Sequence, residues 1–301
     1  MNQELVGPML RARGYLFVKL LRVGPAGAER PAVLAEDGTP LDLSGVTRDI
    51  DGDFLAGGLD DARAAYAAGN LPELAPARIG PPVARPGKIV CVGLNYRDHA
   101  EETGAGIPAE PVLFMKAVNT MVGPDDRVLI PKGSVKTDYE VELAVVLGGR
   151  ARYLDSPDEA RALVAGYAVS NDVSEREFQM ERGGTWDKGK SCETFNPLGP
   201  WLVTADEIPD PQDLAMRLSV NGEVRQDARS KNMIYGIDHL IWYISQFMVL
   251  EPGDVINTGT PAGVAVGRPD APFLRAGDVM EVEIEGLGRQ RQALASHEVS
   301  G

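Results

Sequence analysis

The chain is expected to be mainly β with a few helices, an α+β fold, on three observations. Glycine (34) and proline (22) approach a fifth of the 301 residues, which favours turns and short strands over long helices. Apolar residues alternate with polar ones most clearly along Thr137–Leu147 and Gly166–Ser174. Only a few short stretches carry helix signals. Residues 1–84 differ in composition from residues 85–301, so a small N-terminal α/β cap or structural domain is expected ahead of a larger domain.

In chain order, Tyr15–Val23 and Ala32–Ala35 read as strands, an Ala-rich patch near 60–69 reads as helix, and the proline-crowded stretch Pro72–Pro86 reads as a linker. None of these carries recognisable chemistry. Lys88–Gly93 is an apolar run in which Cys91 serves as a small buried hydrophobe. Ser156-Pro-Asp-Glu159 has a capping serine, a first-turn proline and a capping-box glutamate, which predicts a helix ending near Gly166. A second, amphipathic helix is expected over Gly236–Met248. The two cysteines, Cys91 and Cys192, form neither a zinc motif nor a disulfide framework.

The chemistry concentrates after residue 90. Side chains alternate across a strand, so a strand over Thr137–Leu147 puts Glu140 and Glu142 on one face and Val141 and Leu143 on the other. Two carboxylates on an apolar strand are costly to bury unless a cation neutralises them. Carboxylate oxygens suit Mg²⁺, Mn²⁺ or Ca²⁺ better than Zn²⁺. The next strand is expected to end at Asn171-Asp172, where Asp172 can aim into a cleft and complete a three-carboxylate site. In Gly93–Glu102, His99 and Glu102 are three apart and therefore neighbours on a short helix. A carboxylate bound to one imidazole nitrogen leaves the other as a base for water. Of the other two histidines, His239 falls in an apolar helix, where a structural role is expected, and His297 in a tail. The Gly-rich segment Gly183–Pro200, which includes Cys192, reads as an ordered loop that belongs to the site. Its Lys190 is placed to balance a substrate carboxylate or a developing oxyanion. Glu251–Gly263 reads as a turn, a short strand and a tight Gly259-Thr260-Pro261 bend whose hydroxyls and N–H groups suit a carboxylate.

A net charge of −14 argues against nucleic acid or an anionic membrane as partner. No G-x-G-x-x-G or G-x-x-x-x-G-K-[ST] signature is present, which argues against a nucleotide loop. With no signal-peptide pattern and no apolar window long enough to span a bilayer, a cytoplasmic location is expected.

Taken together, Gly93-Leu-Asn-Tyr-Arg-Asp-His99, Asp138-Tyr-Glu-Val-Glu-Leu143, Ser170-Asn-Asp-Val173, Lys190-Ser-Cys-Glu-Thr-Phe195 and Thr258-Gly-Thr-Pro261 resemble the catalytic C-terminal domain of the fumarylacetoacetate hydrolase superfamily, over about residues 84–290. Glu181-Arg-Gly-Gly184 and Asn232-Met-Ile-Tyr-Gly236 look most like its diketo-deoxy-sugar-acid hydrolase or ureidoglycolate lyase subgroup. The resemblance implies a β-sandwich roll, a homodimer, and Mg²⁺ or Mn²⁺ held by Glu140, Glu142 and Asp172. It also implies a His99–Glu102 dyad on a lid, with Arg176, Gln179, Lys190 and Thr260 holding a small 2-oxo acid substrate. Cys192-Glu193 departs from the usual pattern of an aromatic residue followed by Asp. The implied reaction is hydrolytic cleavage of a carbon–carbon bond in a 2,4-diketo acid through a stabilised enolate. Oxaloacetate or β-keto-acid decarboxylation, enol–keto isomerisation and sugar-acid dehydration or lysis are the alternatives on one scaffold.

Overall fold

The computed structural model describes residues 18–104, 106–268 and 271–298. Its strands run β1 (Lys19–Val23), β2 (Arg30–Leu34), β3 (Pro40–Asp42), β4 (Ile79–Gly80), β5 (Ile89–Gly93), β6 (Val112–Lys116), β7 (Met121–Val122), β8 (Val128–Ile130) and β9 (Thr137–Asp138). They continue with β10 (Val141–Leu147), β11 (Val164–Asn171), β12 (Ser174–Glu175), β13 (Asn196–Thr204), β14 (Ala215–Val220), β15 (Glu223–Arg229), β16 (Val255–Asn257), β17 (Val279–Ile284) and β18 (Gly288–Ser296). The helices are short: α1 (Gly52–Gly57), α2 (Leu59–Ala67), α3 (Arg97–Glu102), α4 (Arg176–Met180), α5 (Asp187–Lys190) and α6 (Ile237–Ser245). This is the mainly β, α+β architecture expected.

A large mixed sheet runs in the order β3-β2-β1-β13-β11-β10-β16-β5-β6, with β4 on β1 and β7 on β13. A five-stranded sheet, β15-β14-β17-β18-β8, packs over one of its faces, and β9 pairs with β12. Strand alternation builds two cores at once. Along β10, Val141, Leu143, Val145 and Leu147 face the core shared with the second sheet, whereas Ala144 and Val146 face the core shared with α1 and β1. Glu142 has the parity of the second set, and Asn171, at the end of β11, lies opposite Val141. The ends of these two central strands therefore bring the acidic residues together.

The N-terminal strands extend the same sheet, because β1 pairs antiparallel with β13 at Lys19–Val203 and Leu20–Leu202. The expected first strand is present from Lys19, and its residues Tyr15–Phe17 lie outside the described residues. The stretch read as a linker is packed: Ile79–Gly80 hydrogen-bonds β1, and Val83 and Ala84 are buried.

One expected helix is not there. Pro157–Glu159 and Arg161–Leu163 are single 3₁₀ turns, and the chain enters β11 at Val164. The capping box forms at Ser156 and Glu159, so the start signal is real, but the helix it opens stops after a single 3₁₀ turn. Gly166 is not a helix C-cap. It sits inside β11, where an added Cβ would collide with the Val203 carbonyl oxygen of β13. Gly166→Ala is therefore expected to destabilise the protein by about 1–3 kcal/mol through overpacking, read as a lower denaturant midpoint with unchanged slope. The second helix is present as α6, with Gly236 at its N-cap. Among the described residues no helix is long and apolar enough to cross a membrane.

Candidate active site

A cavity of about 390 Å³ opens where β5, β10, α3, α4 and α5 converge. His99, Glu102, Glu140, Glu142, Arg176, Gln179, Lys190 and Thr260 all line it. Asp172 lies just behind: one carboxylate oxygen from each of Glu140, Glu142 and Asp172 falls within 4.8 Å of the others, and all three residues are buried. The strand predicted through 137–147 breaks at Tyr139-Glu140 between β9 and β10, yet both glutamates still reach the cavity.

Buried cations hold these carboxylates in place. Lys190 Nζ donates to Glu140 Oε2 at 2.7 Å and to Asp172 Oδ2 at 2.9 Å. Lys116 Nζ pairs with the other Asp172 oxygen and donates to the Val173 carbonyl at 3.0 Å. Arg176 Nε donates to Asp138 Oδ2 at 2.8 Å and Nη1 to Gln179 Oε1 at 3.1 Å. Its Nη2 lies 2.7 Å from Glu140 Oε1 as an ion-pair contact, but without hydrogen-bond alignment, so this buried donor lacks an aligned acceptor.

Four buried carboxylates, Asp138, Glu140, Glu142 and Asp172, thus face three buried cations, Lys116, Arg176 and Lys190. The surplus falls on Glu142, which among the described residues makes no ion pair and accepts one bond, from Gly259 N–H at 2.8 Å. Burial opposes the charge on Glu140, but Lys190 and Arg176 outweigh it and hold that carboxyl down to about 2. For Glu142, burial and then the charges of Asp172 and Glu140 push the carboxyl well above the usual carboxylate range. Burial likewise opposes the Lys190 ammonium, but Asp172 and Glu140 keep it protonated above the ordinary lysine value. An all-oxygen set with one uncompensated negative charge fits a hard divalent cation at Glu140, Glu142 and Asp172.

The histidine arrives on α3, directly after β5. His99 Nδ1 lies 3.4 Å from Glu102 Oε2, and both Glu102 oxygens accept from Gly263 N–H at 3.0 and 3.1 Å. The backbone of the bend after β16 thus fixes the carboxylate, and His99 Nε2 is left as the nitrogen available to the cavity. The 3.4 Å separation is long for a hydrogen bond, as is common for catalytic pairs without substrate. The Thr260 hydroxyl donates to the Val141 carbonyl at 3.0 Å and accepts from Gln226 Nε2 at 2.8 Å. The bend therefore serves the strand carrying the glutamates as well as facing the cavity.

Several expectations need correction. Gly183–Pro200 is not all loop: Asp187–Lys190 forms α5 and Asn196 begins β13. The turn of α5 is what turns Lys190 inward, and Gly189 beside it leaves no room for a Cβ against the Glu175 carbonyl oxygen. Cys192 is not among the residues lining the cavity; its Sγ lies 3.5 Å from the Lys188 carbonyl oxygen, and burial pushes the thiol up to about 11. Glu193 lines a separate surface groove with Arg22 and Arg78. His239 stacks on Tyr235 and Tyr243, in the structural role expected. Sequence reasoning missed Lys116, Asp138, Phe114 and Trp186. The available signal for Lys116 was a lone lysine closing the apolar strand Val112–Lys116, where it is 2% exposed.

The fold and site define a class: a mixed-sheet α+β enzyme scaffold whose cavity combines a buried carboxylate triad with a histidine–glutamate pair. The chain belongs to the fumarylacetoacetate (FAA) hydrolase C-terminal family, whose model matches residues 88–295. A relative from Burkholderia multivorans, itself named only provisionally as a hydrolase, is 52% identical over 280 residues, covering 91% of this chain and 98% of its own. The structure of a fumarylacetoacetate hydrolase from psychrophilic Exiguobacterium antarcticum superposes with a TM-score of 0.81 at 34% identity, covering 93% of this chain and all (100%) of that one. A maleylpyruvate hydrolase from Sphingobium sp. SYK-6, solved with manganese(II) and pyruvate, superposes with a TM-score of 0.76 at 28% identity, covering 92% and 99%.

Proposed function

We propose that this protein is a divalent-metal-dependent hydrolase that cleaves a carbon–carbon bond in a 2,4-diketo acid of the acylpyruvate type. The observation that carries this reading is that the His99–Glu102 pair and the carboxylates of Glu140 and Glu142 face one cavity. The manganese and pyruvate in the maleylpyruvate hydrolase structure support it by similarity.

Glu140, Glu142 and Asp172 would hold Mg²⁺ or Mn²⁺, which when bound supplies a Lewis acid toward the 2-oxo acid head. Arg176, whose Nη2 lies 2.7 Å from Glu140 Oε1, would bind a substrate oxygen beside that carboxylate. Glu102, fixed by Gly263, orients His99. His99 Nε2 takes a proton from water as the oxygen adds to the C4 carbonyl carbon. The C3–C4 bond then breaks, its electron pair passing into a pyruvate enolate, and C4 leaves as a carboxylic acid. The fixed positive charge of Lys190 stabilises that developing anion, and the His99 imidazolium returns its proton to C3. Decarboxylation of a β-keto acid needs no water-activating base, so the dyad favours hydrolysis.

Purified protein incubated with acetylpyruvate and Mg²⁺ is expected to consume the diketone absorbance and release pyruvate and acetate in equal amounts, and EDTA is expected to stop both. Survival of the diketo acid with concurrent loss of CO₂ from oxaloacetate would replace hydrolysis with decarboxylation.

A further inference from the structure

The part of the cavity beyond the carboxylates is apolar: Val92, Leu94, Phe114, Met180, Trp186 and Val266 line it. Phe114 and Trp186 meet edge to face at 5.2 Å between ring centroids, forming a wall. Lys190 Nζ lies 5.0 Å from the Phe114 ring, so the wall begins where the polar end stops. Trp186 keeps its place because residue 93 is glycine, where a Cβ would collide with the indole ring. Among the described residues lining the cavity, the only cations are Arg176 and Lys190, and each is committed to Asp138, Glu140 or Asp172. The one unaligned cationic donor, Arg176 Nη2, lies against Glu140, at the polar end. Glu102 adds a further carboxylate to the lining.

We propose that this cavity selects 2-oxo acids with an uncharged, apolar tail, aromatic or branched in bulk, and rejects tails that end in a carboxylate. The inference rests on the metal-dependent 2-oxo acid reading above. A tail carboxylate would give up its water without gaining a free cation and would approach a cavity already rich in glutamates. An apolar tail gains the aromatic wall and leaves no polar group unpaired.

Two 2-oxo acids with the same head separate the cases: 4-phenyl-2-oxobutanoate and 2-oxoglutarate, titrated calorimetrically into the Mg²⁺-loaded protein. The phenyl acid is expected to bind at least about 10-fold more tightly, the scale of burying one aromatic side group. Equal or tighter binding of 2-oxoglutarate overturns the proposal. Trp186→Ala is expected to weaken the phenyl acid selectively, whereas equal weakening of both ligands removes the wall from tail recognition. Should that variant fail to fold, Met180→Arg places a cation at a 61% exposed position of the cavity and is expected to tighten 2-oxoglutarate alone. No gain there counts against an apolar tail site.

Turnover is read separately. If benzoylpyruvate survives while the binding preference holds, hydrolysis falls and the tail preference stands. If acylpyruvates are cleaved but carboxylate tails are preferred, the tail inference falls alone. Absence of Mg²⁺-dependent binding by both 2-oxo acids overturns both.

Discussion

Replacing His99 with alanine is expected to lower turnover of a 2,4-diketo acid by about 10²–10⁴-fold, the usual contribution of a positioned general base. Metal affinity should stay nearly unchanged, because the His99 imidazole bonds to Glu102 and the carboxylate triad is held by Lys116, Lys190 and Gly259 instead. The residue sits on α3 and is buried against the cavity, so truncation also leaves a void and the variant's melting temperature should be recorded. Steady-state kinetics paired with calorimetric Mg²⁺ titration separate the two effects. An unaltered rate would remove His99 from the mechanism, and a lost metal titration would make it a structural support of the triad.

The second large effect concerns Glu142. Glu142→Gln keeps the shape and the acceptor for Gly259 N–H while removing the one carboxylate of this cluster that has no ion-pair partner among the described residues. The metal-free protein is expected to become more stable, because a buried, like-charged carboxylate is costly. Metal affinity should drop by at least about 100-fold, since even the supporting partners of ligands cost 10–100-fold. The signature is a pair of opposite signs: a higher melting temperature without Mg²⁺ and a lost Mg²⁺-induced rise. Glu140→Ala should also abolish metal binding, but it strips Lys190 and Arg176 of a partner and so destabilises the metal-free protein. If Glu142→Gln still shows the wild-type Mg²⁺-induced rise, the ion is held elsewhere.

Much of the site was legible because its residues lie in short motifs on regular elements. Glu140 and Glu142 lie two apart at the head of β10 and both reach the cavity although the strand breaks before Val141, and His99 and Glu102 share a helix face by spacing. What escaped were partners brought in from distant strands. Lys116 on β6 meets Asp172 across 56 positions of sequence, and Asp138 meets Arg176 across 38. A single lysine closing an apolar strand and an aspartate in a two-residue strand carry no local sign of such pairing. The helix read from Ser156 to Gly166 failed for a related reason. Its start is a local capping signal, whereas Gly166 answers to a neighbouring strand, β13, that the local pattern does not show.

By itself, then, the sequence determined the β-rich class, the acidic triad and the histidine pair, because alternation, helical spacing and glycine–proline punctuation are properties of consecutive residues. Only the tertiary structure decided the charge balance of the buried cluster, the cations that hold it, and the aromatic wall of Phe114 and Trp186. Those depend on which sheet ends converge, and electrostatic compensation in a buried site is a sum over groups that the chain order leaves far apart.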